Sequence, residues 1–161
     1  MSKFFIIILL LIIVQNIQSQ EKYHKYHNSR YGFSVLIPNS LRNVEHSVNG
    51  DGCRFWDPVT EFTVEVAGGR VYKENLEDIV QLREIYEKEL REHEYITYSL
   101  LKDSYFAISG YDGNKIFYNK TFFDGEQVQT LIITYHNSDQ NDYDEIVTKV
   151  SKSFIKGEGD Y

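Results

Sequence analysis

The chain has 161 residues, a formal net charge of −7, 42% hydrophobic and 15% aromatic residues, and only two prolines. That is enough for one domain with a proper core, and too apolar for a disordered chain. The acid excess makes nucleic acid and anionic membranes poor partners.

Residues 1–19 begin with Met1-Ser2-Lys3, run without a polar residue from Phe4 to Val14, and reach a small residue at Ser19. A short basic start, an apolar stretch of about eleven residues and a small residue at the cut site form a secretory signal peptide, with cleavage expected after Ser19. A membrane span needs roughly 18 apolar residues, so none is expected once this segment is removed. No cysteine follows the apolar run, which argues against a bacterial lipoprotein.

Residues 20–30 are polar and read as a flexible leader. His24 and His27 stand three apart; on a helix they would share a face, but no neighbouring group completes a metal set. A single domain is expected over 31–156, followed by a polar tail over 157–161. Residues 31–38 (Y-G-F-S-V-L-I-P) form the first strand, with Phe33, Val35 and Ile37 on one face and Pro38 ending the ladder. Residues 41–48 fit neither period. Asn49-Gly50-Asp51-Gly52 reads as a turn, because the glutamate that closes a calcium loop is missing.

A hairpin follows, with strands at 52–57 and 60–67 turning across Pro58-Val59 and closed by Gly68-Gly69. Cys53, the only cysteine, has no internal disulfide partner and reads as a small buried hydrophobe; no local histidine supports it as a nucleophile. Glu65 reads as a solvent-facing strand carboxylate. A helix is expected over 75–93, capped by Asn75, with Leu76, Ile79, Val80, Leu82, Tyr86 and Leu90 on one stripe.

The chain is organised around residues 105–135. Asp112-Gly113 and Asp124-Gly125, each between aromatic and β-branched runs, predict a three-stranded meander with type I′ turns. Residues 95–102 supply one more strand. Leu131, Ile132 and Ile133 stand in a row, which predicts a sheet covered on both faces. A second helix is expected over 142–154, with Tyr143, Ile146, Val147, Val150 and Phe154 on its apolar stripe. The acids Asp139, Asp142, Asp144 and Glu145 suit a helix start better than a cation site. The fold class is therefore α+β, an antiparallel sheet flanked by helices on both faces.

Several of these stretches together resemble the PsbP-like superfamily. They are the opening Y-G-F-S-V-L-I-P, Ile108-Ser109-Gly110-Tyr111 before an aromatic hairpin, and the ending Tyr143-Asp144-Glu145-Ile146-Val147 with Ser153-Phe154. The resemblance spans nearly the whole chain after residue 30 and points to the small exported bacterial members, the DcrB-like group among them. It implies an antiparallel sheet between helices and a protein that binds other proteins. It supplies no shared catalytic residues, and with no lipobox and an acidic chain it does not imply a photosynthetic role.

No hydrolase, metalloprotease or nucleotide-binding motif is present. His136, Ser138 and Asp139 lie too close in sequence for a triad, which is a matter of geometry. Asn119-Lys120-Thr121 matches a glycosylation sequon. No residue is assigned a catalytic, cofactor-binding or metal-ligating role. The expected function is an exported, periplasmic or secreted, non-catalytic module that binds another exported or envelope protein. The alternative is a small exported hydrolase or ligand carrier with a pocket between sheet and helix.

Overall fold

The computed structural model describes residues 21–71 and 81–158. The expected signal peptide, the Asn75 cap and the end of the polar tail lie outside the described residues. Strands β3 (Asn43–His46), β4 (Gly52–Trp56), β5 (Thr63–Arg70), β6 (Tyr95–Leu101), β7 (Tyr105–Asp112), β8 (Lys115–Phe123) and β9 (Gln127–His136) form one sheet. Its order is β3-β4-β5-β9-β8-β7-β6, and neighbours run antiparallel. Strands β1 (Tyr23–His27) and β2 (Ser34–Pro38) make a separate antiparallel pair. Helix α1 spans Leu82–Glu92 and α2 spans Gln140–Ser153. Among the described residues, no helix is long and apolar enough to cross a membrane.

Strand register divides the core. Along β8, Ile116 stands opposite Tyr135 and Phe117 opposite Thr134, so adjacent residues serve opposite faces. On the first face Val64, Val66, Leu131 and Ile133 pack with Phe33, Val35 and Ile37 of β2 and with Val150 and Phe154 of the α2 end. On the second, Phe106, Ile108, Phe117 and Phe123 pack with Leu82 of α1, joined by Ile85, Tyr86 and Leu90. Each such side chain contributes about 1.5–3 kcal/mol on burial.

The fold is thus a mostly antiparallel sheet with two helices. A helical layer across each face is not what the described residues display. The β1–β2 pair shares the first face with α2, and at the β4–β5 end of the second face Arg54 and Ala67 are exposed. Ile132, expected to need cover, is only half-buried.

Four local expectations are corrected. The leader contains β1, because Tyr23 and Tyr26 can pack on the core while each of residues 23–27 pairs with β2. Helix 75–93 is not continuous, because Gln81 is extended (φ −91°, ψ 140°) immediately before α1. Strand β5 runs through Gly68-Gly69 to Arg70; at Gly68 a Cβ would run into the Tyr31 ring, so glycine lets the ring lie on the strand. The first meander turn is also not type I′. Asp112 pairs with Lys115, leaving Gly113 and Asn114 central, and only Gly113 has positive φ (59°), the pattern of type II′. In the second turn Gly125 again stands first (φ 103°), and the Asp124 carboxylate accepts from the amides of Glu126 and Gln127.

The tail is anchored where it begins. Buried Gln129 donates to the carbonyls of Gly157 and Tyr31 and accepts from the Gly157 amide at 2.9 Å. Ile155 exchanges both backbone hydrogen bonds with Ser34. The packed structure therefore continues at least to Gly157.

Candidate partner-binding face

Strands β7 and β8 pair in continuous register, β6 joins them with one bulge, and the pairing lines up their outward residues. Tyr95 stands opposite Tyr111, and Tyr111 opposite Ile116. Tyr98 stands opposite Ser109, which stands opposite Tyr118; Leu100, Ala107 and Lys120 form the next row. All belong to the first face, but α2 reaches only as far as β8. There Phe154 packs on Phe122 (5.4 Å), and Lys120 Nζ donates to the carbonyls of Ser151 and Phe154 at the helix end. Beyond that line the face is open. Tyr95 is 64% exposed and Tyr98 48%, while Tyr105, Tyr111 and Tyr118 are half-buried.

The electrostatics of this face are quiet. Lys120 is held inward over the rings of Phe122 (4.8 Å) and Tyr105 (5.6 Å), and burial draws its pKa down. Burial pushes the Tyr118 phenol above its ordinary value; a hydrogen bond with Ser151 opposes this, and nearby Tyr98 and Tyr105 add to it. The surface thus offers neutral phenols and ring faces, a composition favoured in protein interfaces. It borders β6, the last strand of the sheet, whose outer edge no described strand pairs. A bulge at Thr97, between Ile96 and Tyr98, interrupts the register, and Thr97 Oγ1 donates to the Ser109 carbonyl.

The candidates read from sequence do not assemble into a catalytic group. Ser138 Oγ lies 2.7 Å from His136 Nδ1 and donates to Asp139 (2.8 Å), and its amide donates to His136 Nδ1. Asp139 meets the serine and not the histidine, whose Nε2 meets Asn114, so the three do not stand in the order of a Ser-His-Asp relay; they close the exposed turn leading into α2. Glu65 pairs with Arg54 at 3.1 Å on the surface. Cys53 is buried, and desolvation pushes its thiol up to about 11, so it carries little thiolate. His24 and His27 lie on a strand, where a spacing of three sends them to opposite faces. Among the described residues no three His, Cys, Asp or Glu side chains could hold a metal ion. Asp51 is engaged by Arg30 (2.7 Å) and Asn49 within its turn. Asn119 is buried and bonded to Glu89, which closes the sequon in the folded state.

One polar group escaped the sequence reading. Under the end of α1, His93 is bracketed by Glu89 and Asp112, and Glu89 accepts from Asn119 at 2.8 Å. Thr121 donates to Asn119 Oδ1 and meets Thr130, its cross-strand partner. Glu89 and His93 at i and i+4 were visible in the sequence; Asp112 needed the strand register. A cavity of about 390 Å³ lies elsewhere, among Glu45, His46, Arg54 and Glu65 of β3–β5 and Asp51 of the turn between β3 and β4, and is open to solvent.

No protein-family model matches the chain, and no curated protein matches it. Solved structures of similar shape include these two. The solution structure of cyanobacterial PsbP (CyanoP) from Synechocystis sp. PCC 6803 has a TM-score of 0.60 at 11% identity, covering 88% of this chain and 96% of that one. The crystal structure of LpqN, involved in cell envelope biogenesis of Mycobacterium tuberculosis, has a TM-score of 0.51 at 10% identity, covering 86% of this chain and 92% of that one. At these identities the likeness speaks for architecture alone. With the strand order, the two helices and these two neighbours together, the chain has a PsbP-like fold.

Proposed function

We propose that the protein is an exported, non-catalytic module that binds another exported or envelope protein through the tyrosine face of β6–β8. The observation that carries this reading is the exposed pair Tyr95 and Tyr98, flanked by half-buried Tyr111, beyond the reach of α2. Large aromatic side chains left at a surface without a structural reason mark a contact site. Export rests on the N-terminal sequence pattern, with an envelope-related neighbour, LpqN, alongside it. A hydrolase or carrier with a pocket between sheet and helix fits less well, because Phe106, Ile108 and Phe117 fill the space under α1.

Site-specific photo-crosslinking tests the reading. A crosslinker placed at Tyr98 should give one discrete adduct in the native envelope or medium, and Tyr95→Ala should abolish it. The same probe at Val59, exposed elsewhere on the surface, should give none. Equal labelling at both positions, or none at Tyr98, would overturn it.

A further inference from the structure

The net charge of −7 conceals a cationic pole. Residues 1–30 hold Lys3, Lys22, Lys25 and Arg30 against Glu21 alone, so they carry +3 and the remainder carries −10. The structure gathers part of that positive share on the outer side of the β1–β2 pair. Val35 and Ile37 point into the core, so Leu36 faces out, with Lys25 opposite it. The end of α2 lies alongside: Ser153 Oγ accepts from the Leu36 amide, and Ile155 bridges to Ser34. Lys149 Nζ sits 3.9 Å from the centre of the Tyr23 ring. Lys149, Lys152 and Ser153 also line one solvent-open groove of about 620 Å³. Lys25, Lys149 and Lys152 therefore share a surface with Tyr23, Leu36 and Ile155.

Two features set this surface apart. First, its lysines hold no carboxylate. Arg30, Arg54, Lys88, Lys115 and Lys156 each do, whereas Lys25, Lys149 and Lys152 pair with none among the described residues. Glu145 stands four residues before Lys149, the spacing of a helical ion pair, yet Lys149 lies over Tyr23 instead. Second, aliphatic groups are accessible among the lysines: Ile155 is 60% exposed and Leu36 is half-buried. The acids Glu21 and Glu145 stand at the Tyr23 end, away from Ile155, and Glu21 accepts from the Ser40 amide.

Unpaired lysines around accessible aliphatic side chains suit a surface that is anionic and apolar at once. We propose that the outer side of the β1–β2 pair, with the end of α2, is a docking surface for anionic lipid. Phosphate headgroups meet Lys25, Lys149 and Lys152, and Ile155 and Leu36 enter the boundary with the acyl chains. The course of the chain favours lipid over an acidic protein. The apolar run from Phe4 to Val14 lies just upstream, and residues 15–20 span at most about 20 Å. While that run is in a bilayer, β1 stays within reach of the headgroups. The same headgroups repel the acidic remainder, which orients the domain.

The test is cosedimentation of the full chain with vesicles, equal parts phosphatidylglycerol and phosphatidylcholine against phosphatidylcholine alone. The N-terminal apolar run enters both kinds, so the difference reports on the cations. Binding to the anionic vesicles should be about tenfold tighter or more and should weaken with salt, since each lysine at such a surface is worth about fivefold. The triple variant Lys25→Gln, Lys149→Gln, Lys152→Gln should lose the excess. Arg83→Gln, Arg91→Gln, Lys102→Gln makes the same change of charge at exposed positions on α1 and the β6–β7 turn, and should keep most of it. A second readout leaves the lysines in place. Cys53 is buried, so a fluorophore on Ile155→Cys labels this surface alone. It should shift to the blue on anionic vesicles, and one on Arg91→Cys should not. Equal binding to both vesicles, an excess lost as fully in the second triple variant, or a label at 155 that stays in water would each overturn the proposal. Polyglutamate bound as tightly as the anionic vesicles would also overturn it, and would assign the surface to an acidic protein.

Discussion

The same three strands, β6 to β8, present two unlike faces, and the difference lies in which aromatics they carry. Toward α1 they send phenylalanine: Phe106, Phe117 and Phe123, all buried. Away from it they send tyrosine: Tyr95, Tyr98, Tyr105, Tyr111 and Tyr118, all at least partly accessible. Total hydrophobicity hardly separates the two. The hydroxyl does, because a buried phenol must find a partner and an exposed one has water. Phe122 keeps the rule: it points to the tyrosine side but lies where Phe154 covers it. The polar atoms divide the same way. Under α1, Asn119, Thr121, Thr130 and Glu89 bond to one another, while on the other face Tyr118 meets Ser151 of α2 and Tyr95 and Tyr98 are exposed.

The contrast predicts very different costs for equivalent truncations. Phe117→Ala removes a ring that is 2% exposed and is also the platform for His93, and it should cost about 3–5 kcal/mol in denaturant unfolding. A loss below about 1 kcal/mol would mean that α1 does not seal the second face.

Asn119→Ala comes next. It leaves Glu89 without its amide donor and Thr121 without its acceptor, both in a region short of water, and should cost about 1–3 kcal/mol. Asn119→Asp should be worse near neutral pH, since it sets a second carboxylate against Glu89, and should recover on acidification. Equal stability of the two variants across pH would show that Glu89 is not bound there.

Alkaline pH should act on the other side. Burial first, with Asp144 and Tyr111 adding to it, pushes Tyr135 up to about 12 from 10.0, and burial pushes Cys53 up to about 11 from 9.0. Both lie in the first-face core and fold in their neutral forms. Their contribution is complete below the unfolded values and is lost as pH rises through the folded ones, between 9.0 and about 12. Stability should fall over that range, and Tyr135→Phe should flatten its upper half. The phenylalanines of the second face do not titrate, so amides of α2 and β9 should lose protection there before those of β7.

Much of the fold was legible because it is written in local signals. The Asp-Gly turns fixed the meander, and the apolar stripe of residues 143–154 fixed α2. What escaped depends on pairing at a distance. Strand β1 has two tyrosines among polar residues and no alternation strong enough to stand out; only β2 makes it a strand. The turn type was missed because Asp112 is drawn into the ladder, where its side chain serves His93 and Glu94. The crowd of meander aromatics was visible in the sequence. Its division into a sealed and an open face follows from how far α2 reaches, and no stretch of β6, β7 or β8 records that. The Glu89–His93–Asp112 group was hidden for the same reason, since its members are joined by one register between a helix end and a hairpin.

The smallest stability effect should carry the largest functional one. Tyr98 is 48% exposed and is not among the residues that form either buried cluster. Tyr98→Ala should therefore shift stability by no more than about 0.5 kcal/mol. Tyr98→Phe should shift it less still, keeping the ring and losing only a solvated hydroxyl. If the tyrosine face is a contact site, the two substitutions separate when a partner is present: alanine loses the complex, and phenylalanine keeps most of it unless the phenol itself donates across the interface. A Tyr98→Ala chain that unfolds easily would instead place this ring in the core, and the two faces of β6–β8 would then differ in degree rather than in purpose.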